Sequence, residues 1–494
     1  PQGHRFVRRF TPETLPPFQA CEERSLGMAY WALYQAGSLT LCKGMSTIVC
    51  TRRPNDKAAY VCQLHDVVEV LSPQRTLHWV AQCTVQPRID WKTLQKHLQE
   101  KHPLKHLDIR AQLGKRPLEN AITIVETAPS GDFLDHVISS LRQWEPARNV
   151  QPREGMTYVS AGDCNSANPG HCQADQQNLY IAQHLLPNKV APEETRVALH
   201  SGFGNSVYGT TAQGLPPFYE DWQAISHEVV SRTCSKDFPS FCMSGPPYAQ
   251  PLRYLATSPG PMFGPHWLGH GREKECQGRN PTLLAHQLAA LPFFEAKWRA
   301  SDRYADGCSF LRQLAHERSL DYFNPAACRI DEEGSNLYLW ISRLPRRCFN
   351  SPNASGCKGK RAISNGLKLA AKLAERYESS PLLFADFGPL SYLDQVFTIR
   401  LAKTIIAAHG GGSWNAARWL NEALEQRVVE IFLRRGPGNT CNLAKMFGGK
   451  YNFASCYSSI SPVNCELEFD ELLRALEAQP FPPHIDCYDM VRSR

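Results

Sequence analysis

The stretch Ile405-Ile406-Ala407-Ala408-His409-Gly410-Gly411-Gly412-Ser413-Trp414-Asn415 decides how this chain is read. Its first residues form a short apolar run of the kind that fills a strand buried on both faces of a parallel sheet. The run passes directly into glycines, and a helix pattern follows. Glycine has no Cβ, so the backbone can approach a ligand closely at that point. The N–H groups that open the helix have no intrahelical partner, and the helix dipole favours negative charge there. A diphosphate is the natural guest of such a turn.

Working outward, the neighbouring segments alternate between strand and helix patterns. Leu337 to Ser342, Leu382 to Phe387, Thr404 to Ala408, Val428 to Leu433 and Tyr451 to Ala454 read as strands. Ala362 to Tyr377, Leu390 to Leu401, Gly411 to Leu424, Asn442 to Phe447 and Phe469 to Glu477 read as helices. Strands alternating with helices predict an α/β fold, a parallel sheet covered on both faces. In such sheets ligands bind beyond the C-terminal ends of the strands. Residues 331–494 are therefore expected to form a Rossmann-like, ligand-binding domain. Residues 151–330 are rich in Gly, Pro, Ser and Asn through position 275 and read as loops over a scaffold, leading to an interdomain region. Residues 1–150 mix short apolar runs and helical patterns; Tyr60 to Val70 reads as a strand pair and Phe133 to Trp144 as a helix.

The chain has 494 residues, 42% hydrophobic and 20% charged, which allows two or three ordinary domains. Its net charge of +7 is spread along the sequence without a block of like charges. That argues against a nucleic-acid partner and suits an enzyme whose substrate carries phosphates. The 18 cysteines include no CxxC pair, but several are separated by seven or eight residues, among them Cys348/Cys357 and Cys456/Cys465. A dispersed, even set of this kind predicts a disulfide-rich protein of an oxidising compartment. A single glycosylation sequon, Asn353-Ala354-Ser355, lies between Cys348 and Cys357. No run of about 18 apolar residues is present to span a membrane. The chain opens at Pro1, so a signal peptide or membrane anchor preceding it is the expectation.

His409 to Asn415 resembles the HGAGLTN signature of the glycosyltransferase family that contains plant xylan arabinosyl- and xylosyltransferases and the animal EGF-domain O-GlcNAc transferase. Flanking motifs follow in the family's order. Ile341-Ser342-Arg343 and Arg361-Ala362-Ile363-Ser364-Asn365 resemble the halves of its SR…RxIxN segment. Leu393-Asp394-Gln395-Val396 resembles its acidic-Gln helix, and Val428-Val429-Glu430-Ile431-Phe432 its strand ending in a glutamate. Cys441-Asn442-Leu443-Ala444 to Tyr451 is similar to a segment of the O-GlcNAc transferase branch. The resemblance covers about residues 336 to 456. Gly411 stands for the family's alanine, and Ser413-Trp414 for its Leu-Thr. The family implies two facing Rossmann-like domains (GT-B-like), a UDP-sugar in the C-terminal one, and inverting transfer to a hydroxyl of a glycan or protein. Golgi or ER lumen, or secretion, is the corresponding location.

On this reading Gly410, Gly411, Gly412 and Ser413 cradle the diphosphate and His409 hydrogen-bonds the sugar or a phosphate. Arg343 and Arg361 neutralise the phosphates, since the guanidinium fork matches their oxygens. Glu430 accepts from the ribose, and Asn415 orients the turn. Inverting transfer also needs a general base, for which His286 is the candidate. No cofactor is expected beyond the donor itself: there is no D-x-D triad, and His266 and His270 lack the glutamate of a zinc-binding HExxH. Two other functions compete. A lipase-like hydrolase would use His409-Gly410-Gly411-Gly412 as an oxyanion loop, but no G-x-S-x-G elbow exists in the chain. A non-catalytic secreted binding or structural protein on the same scaffold is the alternative.

Overall fold

A computed structural model of the chain describes residues 38–44, 46–52, 60–71, 77–85, 122–125, 151–159, 176, 179, 183, 190–199, 219–231, 248–257, 281–331, 334–344, 348–349, 362–432, 441, 444, 449–456 and 464–480. It is a mixed α/β protein with one nine-stranded and one six-stranded sheet.

The larger sheet contains β1 (Ser38–Gly44), β2 (Thr47–Arg52), β3 (Tyr60–Leu71), β4 (Leu77–Val85), β5 (Ile122–Val125), β6 (Arg153–Val159), β7 (Thr195–Leu199), β8 (Glu228–Ser231) and β9 (Tyr248–Thr257). Their order is β5-β4-β1-β2-β3-β9-β6-β7-β8. Where a strand pair was expected, β3 is one 12-residue strand. Asp66 takes a left-handed φ of 53° in its middle without turning the chain back. One edge of β3 passes from β2 to β4 at that residue, while its register against β9 continues unbroken. Ser46 Oγ donates to the Asp66 carbonyl at 2.7 Å and holds the kink.

Residues 151–275 also differ from the loop reading, because β6, β7, β8 and β9 all fall there. These four strands are mutually parallel in the order β8-β7-β6-β9. Their apolar runs are short and separated by long Gly/Pro-rich connections, so composition averaged over the region hides them. The expected helix from Phe133 to Trp144 lies outside the described residues.

Between the sheets run α1 (Tyr219–Gln223), α2 (Pro281–Arg299) and α3 (Gly307–Arg318). The C-terminal region then adds β10 (Asp321–Phe323), the short pair β11 (Ile330–Asp331) and β12 (Gly334–Ser335), and β13 (Tyr338–Ser342). It continues with β14 (Ala362–Ile363), α4 (Gly366–Arg376), β15 (Leu382–Asp386), α5 (Tyr392–Leu401), β16 (Thr404–Ala408), α6 (Gly411–Arg418) and β17 (Arg427–Phe432). Last come β18 (Lys450–Ser455), β19 (Asn464–Cys465) and α7 (Phe469–Glu477). The six-stranded sheet is ordered β10-β15-β13-β16-β17-β18 and is parallel except at β10. The alternating strand–helix reading therefore holds here. The helix expected to run on to Leu424 ends at Arg418, and a separate turn of 3₁₀-helix, Glu422–Leu424, follows. The helix expected at Asn442 to Phe447 falls largely outside the described residues.

Side-chain alternation along these strands feeds two cores. Leu339, Ile341, Ile405, Ala407 and Val428 face one side, with α5 and α6; Trp340, Ile406, Ala408, Val429 and Ile431 face the other, with α4 and α7. The first core runs on without a break into Met156, Tyr158 and Trp222 of the larger sheet's layer. Helix α2 lies in that junction: Phe294 packs edge-on to Tyr392 and Trp419, with centroids 6.0 and 5.0 Å away. A fully buried ion pair, Asp221 to Arg418 at 2.9 Å, crosses the same junction. Cys308 is bonded to Cys328 and Cys456 to Cys465, the latter one of the short-spaced pairs anticipated above. Among the described residues no cysteine is free, and no helix is long and apolar enough to cross a membrane.

Candidate functional site

Numbered from β13, the parallel strands run β15-β13-β16-β17-β18, which is the doubly wound order 2-1-3-4-5. The chain leaves β13 toward one edge and later returns past it to β16. Between these two strands the connections part to opposite sides, and this is where open α/β sheets hold ligands. Arg343 follows β13 and His409 follows β16, so the topology brings the two together at the switch point.

At the end of β16 the backbone turns sharply. Gly410 has φ 140° and ψ −155°, a conformation that L side chains rarely adopt, and it caps α6. Arg343 lies across this turn and donates from Nη1 to the His409 carbonyl at 2.9 Å. A Cβ on Gly410 would stand 2.5 Å from that same Nη1. Among the described residues no carboxylate pairs with Arg343, so its remaining N–H groups are uncommitted beside the glycine backbone. Gly412 is also constrained, since a Cβ there would meet Ile341 Cγ2 at 3.1 Å. Small residues at both positions let the turn sit close on the end of β13.

Ser413 locks the turn. Its Oγ accepts from the Gly410 N–H at 3.1 Å and lies 2.9 Å from the Gly410 carbonyl and 2.7 Å from Glu430 Oε1. A hydroxyl has one proton to give, and the carboxylate is the stronger acceptor. Glu430, midway along β17, is wholly buried. Its Oε1 also takes His409 Nδ1 at 2.9 Å, and its Oε2 accepts from the Tyr451 hydroxyl at 2.7 Å. Burial, reinforced by Glu430, holds the Tyr451 phenol far above its ordinary range, so it stays a donor. The His409 ring stacks on Phe432 with centroids 5.1 Å apart and keeps its other edge outward. Asn415 accepts from the Tyr392 hydroxyl at 3.0 Å and donates to Gln395 Oε1 at 3.3 Å. Gln395 donates in turn to the Phe387 and Leu390 carbonyls, tying the loop that enters α5 to the start of α6.

The expected site residues His409, Gly410, Gly411, Gly412, Ser413, Asn415, Arg343 and Glu430 thus converge. His286 falls within α2, with its side chain outside the described residues; so do the whole of Arg361 and the sequon residue Asn353. Sequence reasoning missed Glu220, on α1. Its side chain is buried beside the N-terminus of α5, where the Leu393 N–H helps to hold it. Burial above all, with the nearby carboxylates of Asp221 and Asp394 adding to it, pushes the Glu220 carboxyl up to about 7. The only trace in the sequence is an acidic pair, Glu220-Asp221, set among aromatic residues. No described group of three or more His, Cys, Asp or Glu side chains could hold a metal ion. No family model matches the chain, and a search of curated proteins found no match.

Proposed function

We propose that the chain is an inverting glycosyltransferase of the secretory pathway, moving a sugar from a nucleotide-sugar, most naturally a UDP-sugar, to a hydroxyl of a glycan or protein. In this reading the two sheets belong to two facing Rossmann-like domains. The observation that carries it is the Arg343 guanidinium, bonded through one N–H to the His409 carbonyl and with no carboxylate partner among the described residues, lying over a backbone-only turn at the switch point of a parallel sheet. Bare N–H groups, a helix start and one fork of cationic donors together match a diphosphate. When C1 of the sugar is attacked, the C1–O bond breaks and its electron pair passes to the β-phosphate oxygen. Arg343 and the turn are placed to stabilise that charge. The acceptor proton leaves to a base on the opposite side. Disulfides in the fold agree with a lumenal or secreted location.

The test is thermal and calorimetric. A panel of UDP-sugars should raise the melting temperature of the wild type, because a ligand that binds only the folded state stabilises it. Arg343→Ala should weaken UDP binding by about tenfold, or ~1.4 kcal/mol. Unchanged UDP affinity in that variant would remove the site. UDP binding without turnover of any UDP-sugar would leave a non-catalytic binding protein.

A further inference from the structure

Glu430 is the one fully buried carboxylate beneath the turn, and its two oxygens serve three donors: His409 Nδ1, Ser413 Oγ and Tyr451 OH. Such a carboxylate only accepts hydrogen bonds. The proton of the neutral His409 ring must therefore sit on Nδ1. The histidine side chain is 35% exposed, and among the described residues Nε2 has no partner. Phe432 is stacked against the ring. The carbonyl of the same residue is held by Arg343, and Ser413 links the carboxylate to the glycine turn.

We propose that Glu430 is a positioning residue: it holds His409 through Nδ1–H, so that the ring's other edge faces the diphosphate held at Gly410–Ser413 and donates to it from Nε2–H when the ring is protonated. This rests on the diphosphate reading above. His409 stands on the same turn as the leaving group. In an inverting displacement the base must work from the opposite side of the sugar, so His409 is not that base. Its useful form is the protonated ring, in which Nδ1–H stays on Glu430 and Nε2–H donates to a phosphate oxygen. Among the described residues, the titratable and charged groups facing it are Glu430 from β17, Tyr451 from β18 and Arg343, which follows β13. The charged ring then lies between two anions, the carboxylate behind and the diphosphate in front, which is the arrangement that orients a histidine ligand through its second nitrogen elsewhere in proteins.

The experiment combines nitrogen NMR of histidine-labelled protein with UDP calorimetry. The His409 signals, identified by their loss in His409→Gln, should show Nδ1 protonated and Nε2 bare at high pH. An Nε2–H tautomer in the wild type would overturn the positioning role whether or not UDP binds. Glu430→Gln keeps the shape but supplies a neutral partner; it should shift the tautomer balance and weaken UDP by about tenfold. His409→Gln, which cannot carry the ring's charge, should likewise weaken UDP by about tenfold. UDP affinity equal to wild type in either Glu430→Gln or His409→Gln would sink the proposal. If wild-type protein binds no UDP, the diphosphate reading fails while the NMR still decides the tautomer.

Discussion

Gly410 shows how much of the site rests on one missing atom. Its φ of 140° excludes ordinary side chains, and the space a Cβ would take is occupied by the Arg343 guanidinium. Gly410→Ala should therefore act twice. Backbone strain should lower stability by roughly 1–3 kcal/mol, measurable as a drop in melting temperature. Displacement of the flexible Arg343 head should also weaken UDP binding. An alanine variant with wild-type melting temperature and wild-type UDP affinity would show that neither constraint operates. The importance of Gly410 was readable from the sequence, because three glycines directly after a buried strand suit a tight backbone turn that side chains would obstruct. The role of Glu430 was not. The family resemblance makes it a ribose ligand at a strand end, but it lies midway along β17, and only the pairing of β17 with β16 and β18 puts it under His409 and beside Tyr451.

The elements flanking the site were largely legible. The strands β13, β15, β16, β17 and β18 fall within one or two residues of the apolar runs, because strands covered by helices are predominantly apolar, with Glu430 in β17 and Asn452 in β18 as buried polar exceptions. Helix α6 is shorter than its pattern. Trp419 and Leu420 are buried in the core, and their place there ends the helical path after Arg418. The close seat of α6 on β13 gives a prediction for the element. Gly412→Leu would drive a side chain into Ile341, whose Cγ2 already lies 3.1 Å from the Cβ position. Overpacking of this kind costs roughly 1–3 kcal/mol, and denaturant unfolding should report it as a lower midpoint with an unchanged slope. A variant as stable as wild type would mean that α6 can move off the sheet. The strands β6 to β9 were hidden from the sequence pattern, since their apolar runs are short and the Gly/Pro-rich segments between them dominate any window.

Across the whole molecule, the junction between the sheet layers is sealed by charge as well as by aromatic packing. Arg418 and Asp221 form a buried pair whose loss on one side alone leaves an uncompensated ion. Glu220 beside them is buried, and among the described residues it has no cation of its own and one carboxylate oxygen without a hydrogen-bond partner. Its carboxyl rises from an ordinary 4.5 to about 7 in the folded chain, chiefly through burial. The folded state thus holds a proton that the unfolded chain releases between those values. Stability from this group falls as the pH rises through that window, by at most about 3 kcal/mol. Glu220→Gln should raise the melting temperature at about pH 8 and leave it nearly unchanged at about pH 4. Melting curves showing the same pH profile for both proteins would contradict this.

Local sequence was enough to establish the α/β class of the C-terminal region, the glycine turn and the shared spacing of the cysteines, because each depends on neighbouring residues: strand burial on apolar runs, the turn on absent side chains, short disulfide loops on nearby thiols. The partnership of Arg343 with His409, the commitment of Glu430, and the burial of Glu220 depend on which strands lie side by side and on how two sheets pack. Those are contacts between residues tens to hundreds of positions apart, and no local pattern encodes them.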